Sequence, residues 1–333
     1  MARFAPISRR TRSMDVCLMI EGQEDVTWDQ WVSLALACEE HGFDSLFRSD
    51  HYLSFGHPAD YGALDAWATL AALATKTERI RLGTMVSPVT FRHPSVLAKS
   101  VVTVDYASGG RVELGMGTGW HEGEHRAYGF PFPPMKERMD LLAEQVEIVH
   151  RLWDRDKDAV TFEGRHFRLE SAPGLPKPLQ DPHPPLILGG DAGPRSLRLA
   201  ALWADEYDTT FTSAEECRDK RDRLSAACEA IDRDPGTVRF SLMTTTIVGA
   251  DEKELHGRVR RLLDMRNDSS DPAAWIEKVG QERIVGTVDQ VLERLARYAD
   301  AGLDRVMMQH LLHDDLEALA LIGQEVIPEA SKL

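Results

Sequence analysis

The feature that most constrains the fold of this chain is a regular alternation of strand-like and helix-like segments. Short apolar runs such as Val16–Ile20 and Leu186–Gly190 have strand character, and between them lie segments whose apolar residues recur every three to four positions. Three of these helical segments open with a capping box, at Thr27, Ser213 and Thr287. Such alternation predicts parallel strands connected by helices that pack outside the sheet.

About eight strands alternate with about eight helices, and eight such units close into an α/β fold, the (β/α)8 TIM barrel, of roughly 250 residues. The chain has 333 residues, so insertions must account for the remainder. We expect them near 120–135, 154–183 and 266–284, where the sequence is irregular. One barrel domain is predicted over residues 14–333, preceded by a disordered or extended tail over residues 1–13.

The composition restricts the classes of partner. A net charge of −15 argues against a nucleic-acid-binding surface, because phosphate contact needs a basic stripe. No apolar run approaches the 18 residues of a membrane span. The four cysteines lack CxxC spacing, which favours a reduced, cytoplasmic protein with buried thiols.

The barrel topology also predicts where the chemistry lies. In TIM barrels the active site is built from the loops that follow the carboxyl ends of the strands. Six segments of this sequence occupy such positions: Asp50-His51, Met85–Ser87, Gly117–Glu122, Gly189-Gly190, Thr209–Thr212 and Gln309-His310.

The glycine-rich stretch within Arg111–Tyr128 is the most distinctive of these segments. It begins as a strand and then carries Gly115, Gly117 and Gly119, which would let a ligand approach the backbone because no Cβ stands in the way. It is not a dinucleotide-binding fingerprint, since Trp120 occupies a position that requires glycine and several strand–helix units precede it.

The residues that follow match the HExxH pattern of zinc proteases, from His121 to His125. That chemistry needs a helix, so that two imidazoles one turn apart share a face. Gly123 and the preceding glycine-rich loop argue against a stable helix, and we do not favour a metal site. A solvated charged loop is a better interpretation for Glu124 and His125 than for Glu122.

Two positions have the chemistry for proton transfer. His51 has a side chain whose ordinary pKa lies near neutrality, and Glu122 is a second candidate proton carrier. Asp50 could orient the imidazole or contact a ligand, although an Asp-His pair at a strand end can also be a simple capped turn. The segment from Gly189 to Arg195 could bind a phosphate at a helix N-terminus, or could be a tight turn that needs glycine.

Several runs of the sequence resemble the luciferase-like monooxygenases, most closely the flavin- and deazaflavin-dependent oxidoreductases of that superfamily. The matching runs span most of the chain: Phe43–His51, Leu82–Val86, Phe91–Pro94, Ser108–Trp120, Arg138–Glu144 and Leu188–Gly190. The resemblance implies a TIM barrel that holds a flavin-type ring at its C-terminal face, with the phosphate near Gly189-Gly190. It also implies a non-proline cis peptide at Met85-Val86.

The resemblance further implies roles for individual residues. Asp50 would contact the cofactor and His51 would be catalytic, as in the coenzyme F420 branch, whereas Trp120 stands where some deazaflavin dehydrogenases have glutamate, which leaves Glu122 as a nearby substitute. The predicted cofactor-binding residues are Asp50, Met85, Val86, Gly117, Thr118, Gly119, Gly189, Gly190 and Arg195. Phe55, Trp120 and His310 are predicted to line the substrate pocket.

The function implied by this resemblance is an F420-dependent oxidoreductase that transfers a hydride between the deazaflavin and a small organic substrate. An FMNH2/O2-dependent monooxygenase is the alternative, since the same barrel serves both cofactors. A zinc hydrolase and a non-enzymatic barrel protein remain as further hypotheses. Relatives of this type commonly form homodimers, so a homodimer is expected.

Overall fold

The structure is a computed structural model that describes residues 13–333. Its strands are short and, apart from one antiparallel pair, parallel. In chain order they are β1 (Asp15–Ile20), β2 (Ser45–Arg48), β3 (Arg81–Thr84), β4 (Ser87–Pro88), β5 (Val112–Gly117), β6 (Ala159–Glu163), β7 (Arg168–Pro173), β8 (Leu186–Gly189), β9 (Glu206–Thr210), β10 (Arg239–Gly249), β11 (Ile284–Thr287) and β12 (Arg305–Gln309).

Eight of these strands close into a barrel. β1, β2, β3, β5, β8, β9, β10 and β12 pair in that order, and β12 pairs with β1 to complete the ring. The closing register places Met19 opposite Gln309. β4 adds to β5 and β11 adds to β10, while β6 and β7 form a separate hairpin. The predicted (β/α)8 barrel is therefore confirmed.

The helices connect successive strands on the outside of the barrel. They are α1 (Trp28–His41), α2 (Ala66–Ala74), α3 (Pro94–Ser108), α4 (Glu122–Tyr128), α5 (Met135–Trp153), α6 (Pro194–Trp203), α7 (Ala214–Glu229), α8 (Glu252–Met265), α9 (Pro272–Val279), α10 (Val288–Asp300), α11 (Leu316–Leu321) and α12 (Ile327–Ala330). All three predicted capping boxes form. Within residues 13–333 none of the helices has the length and apolarity needed to cross a bilayer.

Two of the three expected insertions contain more regular structure than their sequences indicate. The first contains α4, whereas the β6–β7 hairpin of the second is the one that the sequence predicts, with its turn beginning at Glu163-Gly164. The expectation of an irregular segment over 266–284 is wrong, because α9 forms there. Asp271 accepts a hydrogen bond from the N–H of Ala274, and Pro272 occupies the first helical position, where its missing N–H costs nothing.

The interior of the barrel is filled by a small apolar cluster, separate from the larger core between the strands and the helices. Strand side chains alternate between these two faces. The interior cluster consists of Cys17, Met19, Phe47, Met85, Ile187, Met243 and Met307. Val86 and Phe211 pack against it, and the cluster forms a floor beneath the carboxyl ends of the strands. All four cysteines are buried and unpaired, as predicted.

The opposite, N-terminal end of the barrel is closed by buried charges. The guanidinium of Arg305 lies 2.7 Å from a carboxylate oxygen of Glu113 and 3.1 Å from one of Glu206. Arg81 approaches the other oxygen of Glu113 at 2.5 Å. Burial disfavours the Glu113 carboxylate, but these two arginines outweigh it and lower its pKa to about 2. The predicted tail over residues 1–13 lies outside the described residues, save Ser13.

Candidate functional site

A large cavity of about 1080 Å³ opens at the C-terminal end of the barrel. All eight barrel strands or the loops that directly follow them contribute to its wall, which agrees with the position predicted from the fold. Most of the lining is apolar or glycine. The cavity is therefore large enough for a cofactor and a substrate together.

One wall of this cavity is built by Val86 and the glycines around it. The Met85-Val86 peptide is cis, as predicted. A Cβ on Gly117 would lie only 2.7 Å from a methyl group of Val86, and a Cβ on Gly189 would lie 3.2 Å from the other methyl group. The glycines of the two strands thus make room for the Val86 side chain, and both the side chain and the glycine backbone line the cavity. Met85, Thr118 and Gly119 line it as well.

His51 lies at the end of β2 and lines the cavity. Its Nδ1 lies 2.7 Å from Oε2 of Glu124, which is completely buried. The other oxygen of Glu124 accepts hydrogen bonds from the backbone N–H groups of Tyr52 and Leu53. Within the described chain His51 forms no hydrogen bond through Nε2, so this nitrogen is the one available to a ligand.

The electrostatics of this pair are reciprocal. Burial disfavours the charged form of both side chains, and the hydrogen bond outweighs burial in both. The pKa of Glu124 is lowered by the hydrogen bonds that it accepts, and the pKa of His51 is raised by the adjacent carboxylate. The pair therefore combines an ionised carboxylate with an imidazole that readily holds a proton.

The structure corrects the sequence interpretation of this segment. Glu122 is exposed and does not line the cavity, whereas Glu124 and His125 are buried rather than solvated. The physical reason is that a helix does form, with Glu122 as its first residue and the following residues turned toward the barrel. Gly129, which ends the helix at a φ of 73°, is the sequence signal that could have predicted it.

The HExxH pattern does not form a zinc-protease site. His125 uses both ring nitrogens, one with the carbonyl of His121 at 2.8 Å and the other with the hydroxyl of Thr90 at 2.6 Å. A different group, formed by His51, His121 and Glu124, brings three possible metal ligands within 4.8 Å of one another. Its closest contact is the hydrogen bond between His51 and Glu124.

Asp50 lies beside the cavity but does not line it. Its buried carboxylate accepts a hydrogen bond from the hydroxyl of Ser87 at 2.6 Å and forms an ion pair with Arg92. Arg92 also binds Asp65 at 2.8 Å. Asp50 thus ties the end of β2 to the segment after β3, and its Oδ1 is buried with no hydrogen-bond partner among the described residues, so its contact with the cofactor stays a prediction. Sequence reasoning also missed that Glu124, not Asp50, orients the imidazole of His51.

Aromatic side chains form the wall on the His51 side. Phe55 and Trp120 lie 5.0 and 5.7 Å from the imidazole, measured between ring centroids, and 4.9 Å from each other. Both line the cavity, as predicted for the substrate pocket, and both are partly exposed at its mouth. Glu24 holds the Phe55 loop by accepting a hydrogen bond from the backbone N–H of that residue at 3.0 Å.

His310 does not lie in the cavity, contrary to the prediction. Adjacent residues at a strand end point in opposite directions, and here it is Gln309 that faces the cavity. His310 is buried on the outer side of the barrel, where burial lowers its pKa to about 4.

The N-terminus of α6 opens onto the opposite side of the cavity. Gly193 precedes the helix without a side-chain capping bond, and Pro194 has no N–H. The first free N–H groups of the helix therefore have no capping side chain. Gly190 and Arg195 line the cavity here, and Arg195 also forms a 2.5 Å ion pair with Asp140. This arrangement suits a phosphate or another anion.

Comparison with known proteins agrees with this architecture. The family described as luciferase-like monooxygenase matches residues 14–305. An F420-dependent glucose-6-phosphate dehydrogenase of Nakamurella multipartita is 30% identical over 326 residues, which cover 90% of this chain and 92% of that protein. The protein of the same name from Intrasporangium calvum is 29% identical, covering 89% and 93%.

Solved structures share the fold. An F420-dependent secondary alcohol dehydrogenase in complex with an F420–acetone adduct superposes with a TM-score of 0.79, at 20% identity, and covers 96% of this chain and 99% of that chain. A monooxygenase from Streptomyces bottropensis gives the same TM-score at 22% identity, covering 95% and 99%. Together with the family match, these similarities show that the chain belongs to the luciferase-like monooxygenase family.

Proposed function

We propose that this chain is an oxidoreductase that uses coenzyme F420 to move a hydride to or from a small organic substrate. The observation that carries the proposal is the His51–Glu124 pair, which sets a proton-carrying imidazole on a cavity that also has a glycine-lined wall and an open helix N-terminus. The curated relatives named F420-dependent, similar to this chain over about nine-tenths of its length, support the choice of cofactor.

The residues of the cavity fit such a cofactor. A flat ring needs a wall without protruding side chains, and Gly117 and Gly189 supply backbone there beside Val86. A phosphate needs N–H donors and positive charge, and the N-terminus of α6 with Arg195 supplies both. When bound, F420 would supply the hydride-transfer chemistry of its deazaflavin ring.

The protein's own contribution is proton transfer and exclusion of water. Nδ1 of His51 is held by Glu124, so Nε2 is the atom that gains or releases the substrate proton. The buried carboxylate fixes the orientation of the ring and stabilises its charged form. Phe55 and Trp120 cover the imidazole from the solvent side of the cavity.

Purification from a host that makes both F420 and FMN tests this proposal. We expect the bound cofactor, identified by its absorbance and fluorescence spectra, to be F420. The His51→Asn variant should retain the cofactor, because the imidazole transfers a proton and does not bind the cofactor ring. Its turnover should fall by about 10² to 10⁴-fold. Protein that carries only FMN would instead support a monooxygenase.

We also propose a cytoplasmic homodimer, on the basis of the resemblance to the family. Light scattering coupled to size-exclusion chromatography tests the dimer, for which a mass of twice the 37.3 kDa chain is expected.

A further inference from the structure

Two arginines line the cavity without an acidic partner. Arg266, just after α8, and Arg283, just before β11, both belong to the lining. Within residues 13–333 neither guanidinium forms a hydrogen bond or an ion pair, and the Nε of Arg283 is buried with no partner at all. Arg195, by contrast, already has an acidic partner in Asp140, with which it forms a partly exposed ion pair. Arg266 is exposed at the mouth of the cavity, so the buried Nε of Arg283 carries the cost of a missing partner, and it points to a ligand.

The two arginines are close enough to affect each other. Partial desolvation and the charge of Arg283 together lower the pKa of Arg266. Arg283 also lies over the ring of Phe211, with 5.5 Å between its guanidinium carbon and the ring centroid. Two like charges that share one cavity wall are stabilised by an anion bound between them.

Several polar groups on the neighbouring strands bind one another, although Oδ1 of Asp208, which also lines the cavity, is buried with no hydrogen-bond partner among the described residues. Gln309 donates to Glu21 at 2.6 Å and accepts from Thr245 at 2.6 Å. Glu24 accepts from the hydroxyl of Ser54 at 2.7 Å.

The surroundings of the arginines combine the carboxylates of Glu24 and Asp268, which act on Arg266, with several apolar side chains. Phe211, Leu262, Met265 and Leu311 line the same cavity, and Leu262 and Leu311 belong to or pack against the apolar cluster beneath α8. A ligand that contacts both the arginines and these side chains needs an acidic end and an apolar body.

We propose that Arg266 and Arg283 bind the acidic group of the substrate, and that the substrate is an organic acid with an apolar body. This inference rests on the proposed function, because it assigns the arginines to the substrate and not to the cofactor, whose phosphate has the α6 N-terminus. It distinguishes this chain from the relatives named for glucose-6-phosphate, whose sugar carries several hydroxyl groups.

Calorimetric binding of 4-phenylbutyrate and of its uncharged amide, 4-phenylbutyramide, tests the inference on protein loaded with F420 and on protein free of it. The acid should bind at least about tenfold more tightly than the amide, because a hydrogen bond between groups of opposite charge raises an affinity by about that factor. Arg266→Gln and Arg283→Gln should each weaken the acid about tenfold and leave the amide unchanged. Arg283→Lys should keep most of the affinity, because it keeps the charge.

Arg260→Gln is the matched control. Arg260 lies on α8, is partly exposed, and donates to the carbonyl of Ser270 outside the cavity. Its loss should not change either affinity. Equal binding of acid and amide, or unchanged binding of the acid by both cavity variants, would overturn the inference.

Two further measurements separate the possible sources of the anion. F420 affinity should be unchanged in Arg266→Gln and Arg283→Gln, and a loss of F420 affinity would assign the arginines to the cofactor phosphate and overturn the inference. If glucose-6-phosphate binds more tightly than 4-phenylbutyrate, the inference that the substrate has an apolar body is overturned. If the acid binds through the arginines while F420 does not bind, the proposed cofactor fails and the anion site stands.

Discussion

At the scale of single residues, the contact that decides the chemistry is the 2.7 Å hydrogen bond between His51 and Glu124. The two residues are 73 positions apart and meet because α4 turns Glu124 toward the end of β2. The backbone N–H groups of Tyr52 and Leu53 hold the carboxylate in place. The imidazole is therefore oriented before any ligand arrives.

Glu124→Gln tests this role. Without the carboxylate charge, burial is opposed only by the smaller effects of Glu21 and Asp50, so the pKa of the imidazole should fall. The limb of the pH–rate profile that reports this pKa should therefore move to lower pH. We expect kcat to fall about 10²-fold near neutral pH. The His51 signal in an NMR titration gives the pKa directly, independently of activity.

Glu122→Gln is the control, because Glu122 is exposed on the same helix and lies outside the cavity. It should leave both the titration and the pH profile as they are in the wild type. If the two variants have identical titrations and pH profiles, Glu124 does not set the pKa of His51 and has no part in the mechanism.

At the scale of secondary structure elements, β5 and β8 are shaped to seat the Val86 side chain. In Gly117→Ala the new Cβ would lie 2.7 Å from a Val86 methyl group, so the cavity wall must move. We expect a loss of about 1–3 kcal/mol in stability, the scale of core overpacking, together with weaker cofactor binding. Urea denaturation and a cofactor titration measure the two effects.

Gly257→Ala is the opposite case and the natural comparison. Gly257 lies exposed in α8, and no atom lies within 4 Å of the position that its Cβ would take, so alanine should stabilise the helix by up to about 1 kcal/mol.

Adding Val86→Ala to Gly117→Ala should restore part of the stability that Gly117→Ala loses. A Gly117→Ala protein as stable as the wild type would contradict the proposed packing of this wall.

The elements also show which parts of the fold follow from local sequence. Periodicity and capping boxes predicted most helices and barrel strands, since both signals are local. They missed α9, whose sequence lies in the polar stretch 266–284 without a clear period, and β11, which is an apolar strand of only four residues. They also missed α4, because Gly123 argued against a helix that is in fact held by the hydrogen bonds of its buried residues Glu124 and His125.

At the scale of the whole molecule, the cavity at one end of the barrel is matched by the buried charges at the other. Arg305 and Glu113 are 192 positions apart and join β12 to β5 across the barrel. No local pattern predicts such a contact, because it exists only once the ring of strands has closed. The same holds for the unpaired arginines of the cavity.

Arg305→Met should destabilise the protein by about 3–5 kcal/mol, because it removes the buried guanidinium shared by Glu113 and Glu206 and leaves Glu113 only its contact with the more exposed Arg81. In the wild type the pKa of Glu113 is depressed, so its contribution to stability is complete above the ordinary pKa of glutamate and is lost as the pH falls toward about 2.

In the variant these carboxylates should take up protons at higher pH, so the difference in unfolding free energy between the two proteins should narrow from about pH 7 to about pH 4. Guanidinium denaturation at several pH values measures it. A difference that stays constant with pH would mean that the buried charges do not interact as described.

We propose that the cavity at the carboxyl ends of the strands is a deazaflavin site served by His51. The most direct measurement is a fluorescence titration of the purified, cofactor-free protein with F420 and, separately, with FMN. We expect saturable F420 binding that is tighter than FMN binding and is weakened by Arg195→Gln. Tight FMN binding beside F420 binding no stronger than a buffer blank would contradict the proposal.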